Sequence, residues 1–423
     1  MQADLEPYTH SGPTSRSDRL DSLDKIRGIA VLGILLANVT AFGHTNIAYY
    51  WPQALPGGGS ENDQIAWLAQ FVLVDGKFRG LFSILFGAGL ALFIERKSEL
   101  SRALVLQWRR LAWLLLFGLL HFFLLFRGDI LFGYAIAGFF ALLFRHMPAE
   151  KLFAIGIIWA LVASGLQILN YLTPALIEGS ASEAGTGEAV AYYSEFWQGR
   201  LVAAREQADV MAFGSYVDVL RYRVVEEAHL LVGYVTYGFF ETIPLMLIGM
   251  GFYRSGMFAP SDNVFEWRWV ASAALLAGIT INLLVGLAVY RAGFPPYFTQ
   301  LAFFGASGVG NTFILLGGTA LLARWAVRDR KSWFGERLAL AGRMALSNYI
   351  GTSLVMMLVF QGWAGGLYGT LGKLDMLPVV LLGWAFMITF SRIWLARYRY
   401  GPLEWLWRCL TYGRRFPLKK LES

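Results

Sequence analysis

Residues 111–126 read LAWLLLFGLLHFFLLF, and Arg127-Gly128-Asp129 follows before a second apolar stretch opens at Ile130. His121 is the only ionisable side chain in the run. A run of this length suits a membrane-spanning helix, and an ionisable residue inside such a helix is costly enough to ask for a function. The structural alternative is a histidine held neutral in a helical bundle, one ring N–H bonded to a carbonyl.

The rest of the chain follows the same pattern. Hydrophobic residues make up 56% of the 423 and charged residues 15%, against about 45–50% and about 25% in soluble domains. The charges cluster between long apolar runs. Those runs predict an all-α, polytopic integral membrane protein of about ten spans, near 26–43, 78–95, 110–126, 129–144, 151–171, 229–253, 268–290, 298–324, 343–362 and 376–396. No separate soluble domain is expected: residues 1–423 form one transmembrane domain.

Orientation follows from the basic residues, since Lys and Arg near span ends favour the cytoplasm. Arg16, Arg19, Lys25 and Arg27 precede the first span. Arg96, Lys97, Arg102, Arg109 and Arg110 precede the third, and Arg324, Arg328, Arg330, Lys331 and Arg337 the ninth. Arg414, Arg415, Lys419 and Lys420 follow the last. These segments fall on one side of the membrane, so both termini are expected in the cytoplasm, with tails at 1–24 and 397–423. The longest loop, 173–228, is expected outside; it carries nine acidic residues against four arginines. The net charge of +7 is then a consequence of topology and gives no reason to invoke nucleic acid.

Residues 1–24 contain no apolar core of a cleavable signal peptide, so the first span is expected to act as an uncleaved anchor. A single cysteine, Cys409, excludes an intramolecular disulfide and a multi-cysteine metal site. Ile65, Leu68, Phe71 and Val72 share one helical face, which suits an interfacial or re-entrant helix over 63–74. Residues 180–187 read as a linker, and 190–227 as an amphipathic helical segment that either covers an outward cavity or simply connects spans. The run Gly305 to Thr312 resembles a phosphate loop but has Asn311 where the lysine belongs. No metal site is expected: His-Glu-x-x-His is missing. Arg127-Gly128-Asp129 matches an adhesion tripeptide only by coincidence, since apolar runs flank it.

On a helix ending near Phe126, His121 lies roughly 7–8 Å below its end at 1.5 Å per residue, and Asp129 opens the next span after a glycine. The two can meet. A carboxylate on one ring nitrogen fixes the tautomer and leaves the other nitrogen to take a proton from a hydroxyl or amine. Asp129 can equally act as a helix cap. At the first span, Asp24, Lys25, Arg27 and Asn38 flank or enter an apolar helix. Arg27 is either a contact for a phosphate-bearing donor or a positive-inside anchor.

Leu23-Asp24-Lys25-Ile26-Arg27-Gly28, Asp75-Gly76-Lys77-Phe78, the block Leu81 to Gly89, Leu119-Leu120-His121 and Gly128-Asp129-Ile130-Leu131 together resemble the bacterial YeiB-like membrane proteins. Gly342-Arg343-Met344-Ala345-Leu346-Ser347-Asn348-Tyr349 and Gly401-Pro402-Leu403-Glu404-Trp405 extend the resemblance over nearly the whole chain, least in the long outer loop. That family is similar to transmembrane acyltransferases that include the heparan-glucosaminide N-acetyltransferase. The resemblance implies a bacterial inner-membrane acyltransferase. It would move an acyl group from cytosolic acyl-CoA, acetyl-CoA among the donors, to an acceptor at the outer face or held in the lipid. His121 matches the membrane histidine that receives or relays the acyl group, and Asp24 with Arg27-Gly28 the motif opening the first span. His121 is then expected as base or nucleophile and Asp129 as its orienting partner, with Arg27 and Asp24 on the CoA side. Arg343, Asn348 and Glu404 are further candidates there that can equally cap or anchor helices. Membrane lipids are the surrounding partner, and a homo-oligomer is left open. The competing class is a proton-coupled transporter or channel using His121 and Asp129 as relay groups.

Overall fold

In lipid no water is present to satisfy backbone groups, so spanning segments must bond within themselves. The chain meets this with helices throughout. The computed structural model describes residues 21–97, 99–184, 187–259, 267–329 and 332–420. Among them the only β pairing is an isolated bridge between Tyr398 and Lys419. The N-terminal residues with Arg16 and Arg19, and Arg330 and Lys331, lie outside the described residues.

The helices are α1 (Asp21–Gly43), α2 (Asn46–Tyr50), α3 (Glu61–Leu73), α4 (Lys77–Glu95), α5 (Leu100–Leu124), α6 (Leu131–Ala141), α7 (Ala149–Ala184), α8 (Glu188–Phe213) and α9 (Tyr216–Val225). They continue as α10 (Leu230–Tyr237), α11 (Ile243–Arg254), α12 (Arg268–Arg291), α13 (Pro296–Gln300), α14 (Ser307–Arg328), α15 (Trp333–Arg343), α16 (Ala345–Phe360), α17 (Leu377–Arg397) and α18 (Pro402–Tyr412). Among the described residues, eight helical stretches are long and apolar enough to cross a membrane. A ninth counts if α15 and α16, bent by 80°, form one crossing. The remaining expected span, 129–144, is the short apolar stretch Leu131–Phe144. At 1.5 Å per residue it is roughly 20 Å long, short of a hydrocarbon core of roughly 30 Å. The protein is an all-α polytopic membrane protein.

Two expectations are refined. The helix foreseen at 63–74 is α3, the first part of the apolar stretch Glu61–Glu95, and it buries Trp67 and Phe71 against Val289 and Phe294. The linker foreseen at 180–187 is helical as far as Ala184, where α7 ends; residues 185–186 lie outside the described residues.

Helix α1 sits at the centre of the bundle. Leu23, Ile26 and Ala30 pack among Leu81, Ile84, Leu85 and Ile248, while Val31, Leu35 and Val39 pack among Leu114, Met356 and Phe360. Lipid is as apolar as leucine, so this burial gains little hydrophobic free energy, and close backbone approach has to hold the helices together. Glycines supply it. A methyl group on Gly87 would strike the Met246 carbonyl, and one on Gly249 the Ile84 carbonyl, which is how closely α4 and α11 cross.

Among the described residues, and apart from the bent α15–α16 pair, three of the eight long apolar stretches depart from α geometry along their length. Helix α3 gives way to α4 at Asp75-Gly76, where Gly76 takes a left-handed φ of 79°. Leu230–Arg254 contains a π-helical turn at Gly238–Thr242, and Pro296–Arg328 contains one at Leu301–Ala306. Outside the spans, α8 and α9 fulfil the helical reading of 190–227, and α9 starts from a Ser215–Asp218 capping box.

Candidate functional site

The site is built from the end of α5 and the start of α6. The backbone N–H groups of Leu125 and Phe126 both donate to the His121 carbonyl, at 2.9 and 2.8 Å, and this winds up the helix. Arg127 and Gly128 then turn the chain so that Asp129 comes back toward His121. Gly118 makes the return possible: a methyl there would collide with the Phe132 backbone and the Asp129 carboxylate. His121 Nδ1 lies 2.8 Å from Asp129 Oδ1. Asp129 Oδ2 accepts the Phe132 N–H at 2.7 Å, so the carboxylate orients the histidine and caps α6 at once.

Both side chains are out of contact with solvent, at 1% and 0% exposure. With the carboxylate on Nδ1, the neutral ring carries its proton there and Nε2 presents a lone pair. Nε2 is buried and has no hydrogen-bond partner. A buried polar atom left unsatisfied costs about 1–3 kcal/mol, so Nε2 is open to a hydrogen-bonding partner. The Tyr349 ring packs 4.8 Å from the imidazole, and its hydroxyl accepts the Ile130 N–H at 3.3 Å. The sequence reading missed Tyr349 as a neighbour of His121, although it follows Asn348 in a block already singled out.

At the opposite end of α5 the expected donor-side residues separate into two groups. Arg27 pairs with Asp24 at 2.8 Å and keeps 27% of its side chain exposed. Arg110, read from sequence only as a loop anchor, stacks between Phe93 and Trp407, its guanidinium 4.4 and 4.7 Å from the two ring centres. Arg27 and Arg408 are within electrostatic reach of it. Arg110 with two further guanidinium groups that each repel it, on a partly open surface, forms a place where phosphate would be stabilised. Helix α15 crosses α1 beside them: a methyl on Gly342, next to Arg343, would strike the Asp24 carbonyl.

Asn348 and Glu404 do not join this cluster through their side-chain bonds. Asn348 is buried and donates both amide hydrogens internally, to the Ala341 carbonyl at 3.0 Å and to Ser391 Oγ at 2.9 Å, bracing the bend between α15 and α16 against α17. Glu404 accepts the Ser347 N–H at 3.0 Å and its hydroxyl at 2.5 Å, capping the first turn of α16. Burial raises the Glu404 carboxyl above the usual carboxylate range.

The chain is 31% identical to the uncharacterized protein YeiB of Escherichia coli (strain K12) over 401 residues, 93% of this chain and 96% of that one. It belongs to the YeiB-like family. The uncharacterized protein YxaH of Bacillus subtilis (strain 168) is 28% identical over 429 residues, 96% of this chain and 98% of that one. An uncharacterized 39.9 kDa protein encoded in the amylase 3′ region of Bacillus acidopullulyticus is 26% identical over 410 residues, 96% and 97% of the two chains. Residues 252–414 match a protein family of unknown function, DUF418. No solved structure matches the chain. In this YeiB-like chain the His121–Asp129 turn lies ahead of the DUF418 region, while Asn348, Tyr349 and Glu404 lie within it.

Proposed function

We propose that the chain is an acyltransferase of a bacterial inner membrane, moving an acyl group from cytosolic acyl-CoA to a hydroxyl or amine acceptor at the outer face or in the lipid. The observation that carries the reading is the buried His121–Asp129 pair with Nε2 unpartnered. In the reaction, Nε2 takes the proton of the acceptor as its oxygen or nitrogen attacks the thioester carbonyl carbon. The C–S bond breaks, and the CoA thiolate leaves with the proton that His121 held. Asp129 keeps the imidazole in the required tautomer and stabilises the imidazolium between these steps.

The basic cluster supports the donor side. Arg110 and His121 share α5 and lie roughly 16 Å apart along its axis, so a donor whose phosphates rest near Arg27, Arg110 and Arg408 must extend its acyl end into the membrane. Purified protein is expected to bind CoA and acyl-CoA, with Arg27→Ala weakening binding more than His121→Ala. Labelled acyl-CoA is expected to be consumed, with label appearing on an acceptor.

A second reading, a proton-coupled transporter, has one observation in its favour: crossings interrupted at Asp75-Gly76, Gly238–Thr242 and Leu301–Ala306, of the kind that form solute sites in transporters. Absence of CoA binding, together with solute accumulation in proteoliposomes that needs His121 and a pH gradient, would replace the acyltransferase with it.

A further inference from the structure

The three interruptions meet. Asp75 at the break between α3 and α4, Glu241 in the first π-turn and Phe303, Phe304 and Gly305 in the second all line one cavity of about 110 Å³. π-turns are rare and concentrate at functional sites, and a chain break inside a span is tolerated only where it lines a cavity or is buried in protein. By the rise of α4, 19 residues long, the cavity lies roughly 28 Å from the Glu95 end, on the side expected to face outward. The Asp75-Gly76-Lys77-Phe78 block has no part in the His121 chemistry.

The charges around the cavity balance. Glu241 is held by Arg79, its Oε2 3.2 Å from Nη2. Asp75 lies within electrostatic reach of Lys77 and Lys373, and Lys373 in turn of Asp63. Asp75, Glu241 and Arg79 line the cavity, with Lys77, Lys373 and Asp63 beyond the lining; the six make three carboxylates against three cations, so an incoming ion would stand unpaired in a low-dielectric site. One acceptor is nevertheless open. Asp75 Oδ1 takes the Gln70 amide at 2.9 Å, while Oδ2 is buried without a donor; Lys77 Nζ is spent on the Phe71 carbonyl at 2.5 Å. Asp75 is 95% buried. The walls beside it are aromatic: Tyr49, Phe71, Tyr237 and Phe303.

From this cavity we infer a second ligand site, which takes a small neutral polyol of roughly three or four carbons, its hydroxyl donating to Asp75 Oδ2 and its C–H faces against the aromatic rings. The size follows from the volume, the neutrality from the balanced charges, and the hydroxyls from the open carboxylate oxygen. The site stands independently of the acyltransferase reading.

Equilibrium binding of tritiated erythritol to the full chain in detergent tests it. Saturable binding is expected, competed by unlabelled erythritol. The isosteric Asp75→Asn is expected to weaken it about tenfold or more, the effect of losing one charge-assisted hydrogen bond. Ser164→Leu, which fills the cavity from α7, is expected to abolish it with thermal unfolding unchanged. Acyl-CoA binding is expected to persist in Asp75→Asn, so failure here and failure of the acyltransferase reading are read separately. The inference is overturned by non-saturable binding, by equal affinity in Asp75→Asn, or by tritiated choline binding saturably where erythritol does not. If Ser164→Leu fails to fold, Asp75→Asn decides.

Discussion

Arg127 Nη1 lies 3.0 Å from Glu227 Oε1, a contact that joins residues 100 positions apart and ties the turn before Asp129 to the end of α8 and α9. The tie is part of a network. Arg127 Nη2 donates to the His44 carbonyl at 3.2 Å, and Gln207 of α8 donates to the same Glu227 oxygen at 2.7 Å while accepting the Asn46 N–H at 3.1 Å. Helices α8 and α9 are therefore anchored to the turn that presents the His121–Asp129 pair.

Both partners are nearly buried, at 7% and 4% side-chain exposure. Removing one leaves the other charged and uncompensated, which costs about 3–5 kcal/mol in a buried pair. Glu227→Ala is expected to lower the unfolding temperature in detergent and to speed proteolysis within 187–227, and Glu227→Gln to do so less. An unchanged proteolysis pattern in Glu227→Ala would show that α8 and α9 are held by other contacts.

The crossing of α1 and α15 rests on two glycines. A methyl on Gly28 would meet the Leu338 carbonyl and one on Gly342 the Asp24 carbonyl, both backbone atoms that cannot swing aside. Gly28→Ala and Gly342→Ala are each expected to cost about 1–3 kcal/mol, the usual penalty for overpacking, and to weaken CoA binding by displacing Arg27. Gly89→Ala, where a methyl meets nothing within 4 Å, is the control and is expected to be neutral or slightly stabilising. Equal unfolding temperatures for all three would show that the crossing relaxes freely.

His44, just past the end of α1, gives the fold a pH dependence. Burial lowers its pKa from 6.5 to about 4, against the opposing effect of its 2.8 Å contact with the Leu371 carbonyl. Because the folded value is the lower one, the unfolded chain takes up the proton first. The stabilisation is complete above pH 6.5 and is lost as pH falls toward about 4, by up to about 3 kcal/mol. His44→Gln keeps an N–H for Leu371 and removes the titration. It is expected to show a flatter unfolding temperature across that window; parallel curves for the two proteins would rule His44 out.

The long crossings are legible in the sequence because each is a self-contained apolar run, and the pairing of His121 with Asp129 is legible because only a short glycine turn separates them. The break at Asp75-Gly76 is harder to see: Ile65, Leu68, Phe71 and Val72 look like one face of an interfacial or re-entrant helix until α12 is found packed on Leu68 and Phe71. The cavity is not legible at all, since Asp75, Glu241 and Phe303 come from three distant runs and π-turns leave no apolar period of their own. Arg110 is legible as a charge but not as a stacked one, because Trp407 arrives from the far end of the chain.

Asp129 carries two duties on two oxygens, and substitutions separate them. Asp129→Asn keeps an oxygen for the Phe132 N–H but loses the charge beside His121, so folding is expected to be near normal and acyl transfer reduced. Asp129→Ala loses the cap as well, for about 1 kcal/mol more in stability. His121→Ala removes the base and is expected to abolish transfer while the protein still inserts, at a lowered unfolding temperature because Asp129 Oδ1 is left buried without its donor. The comparison is made by label transfer from acyl-CoA and by thermal unfolding on the same three preparations. Misassembled His121→Ala, with normal specific activity in the fraction that survives, would assign the histidine to structure and end the catalytic reading.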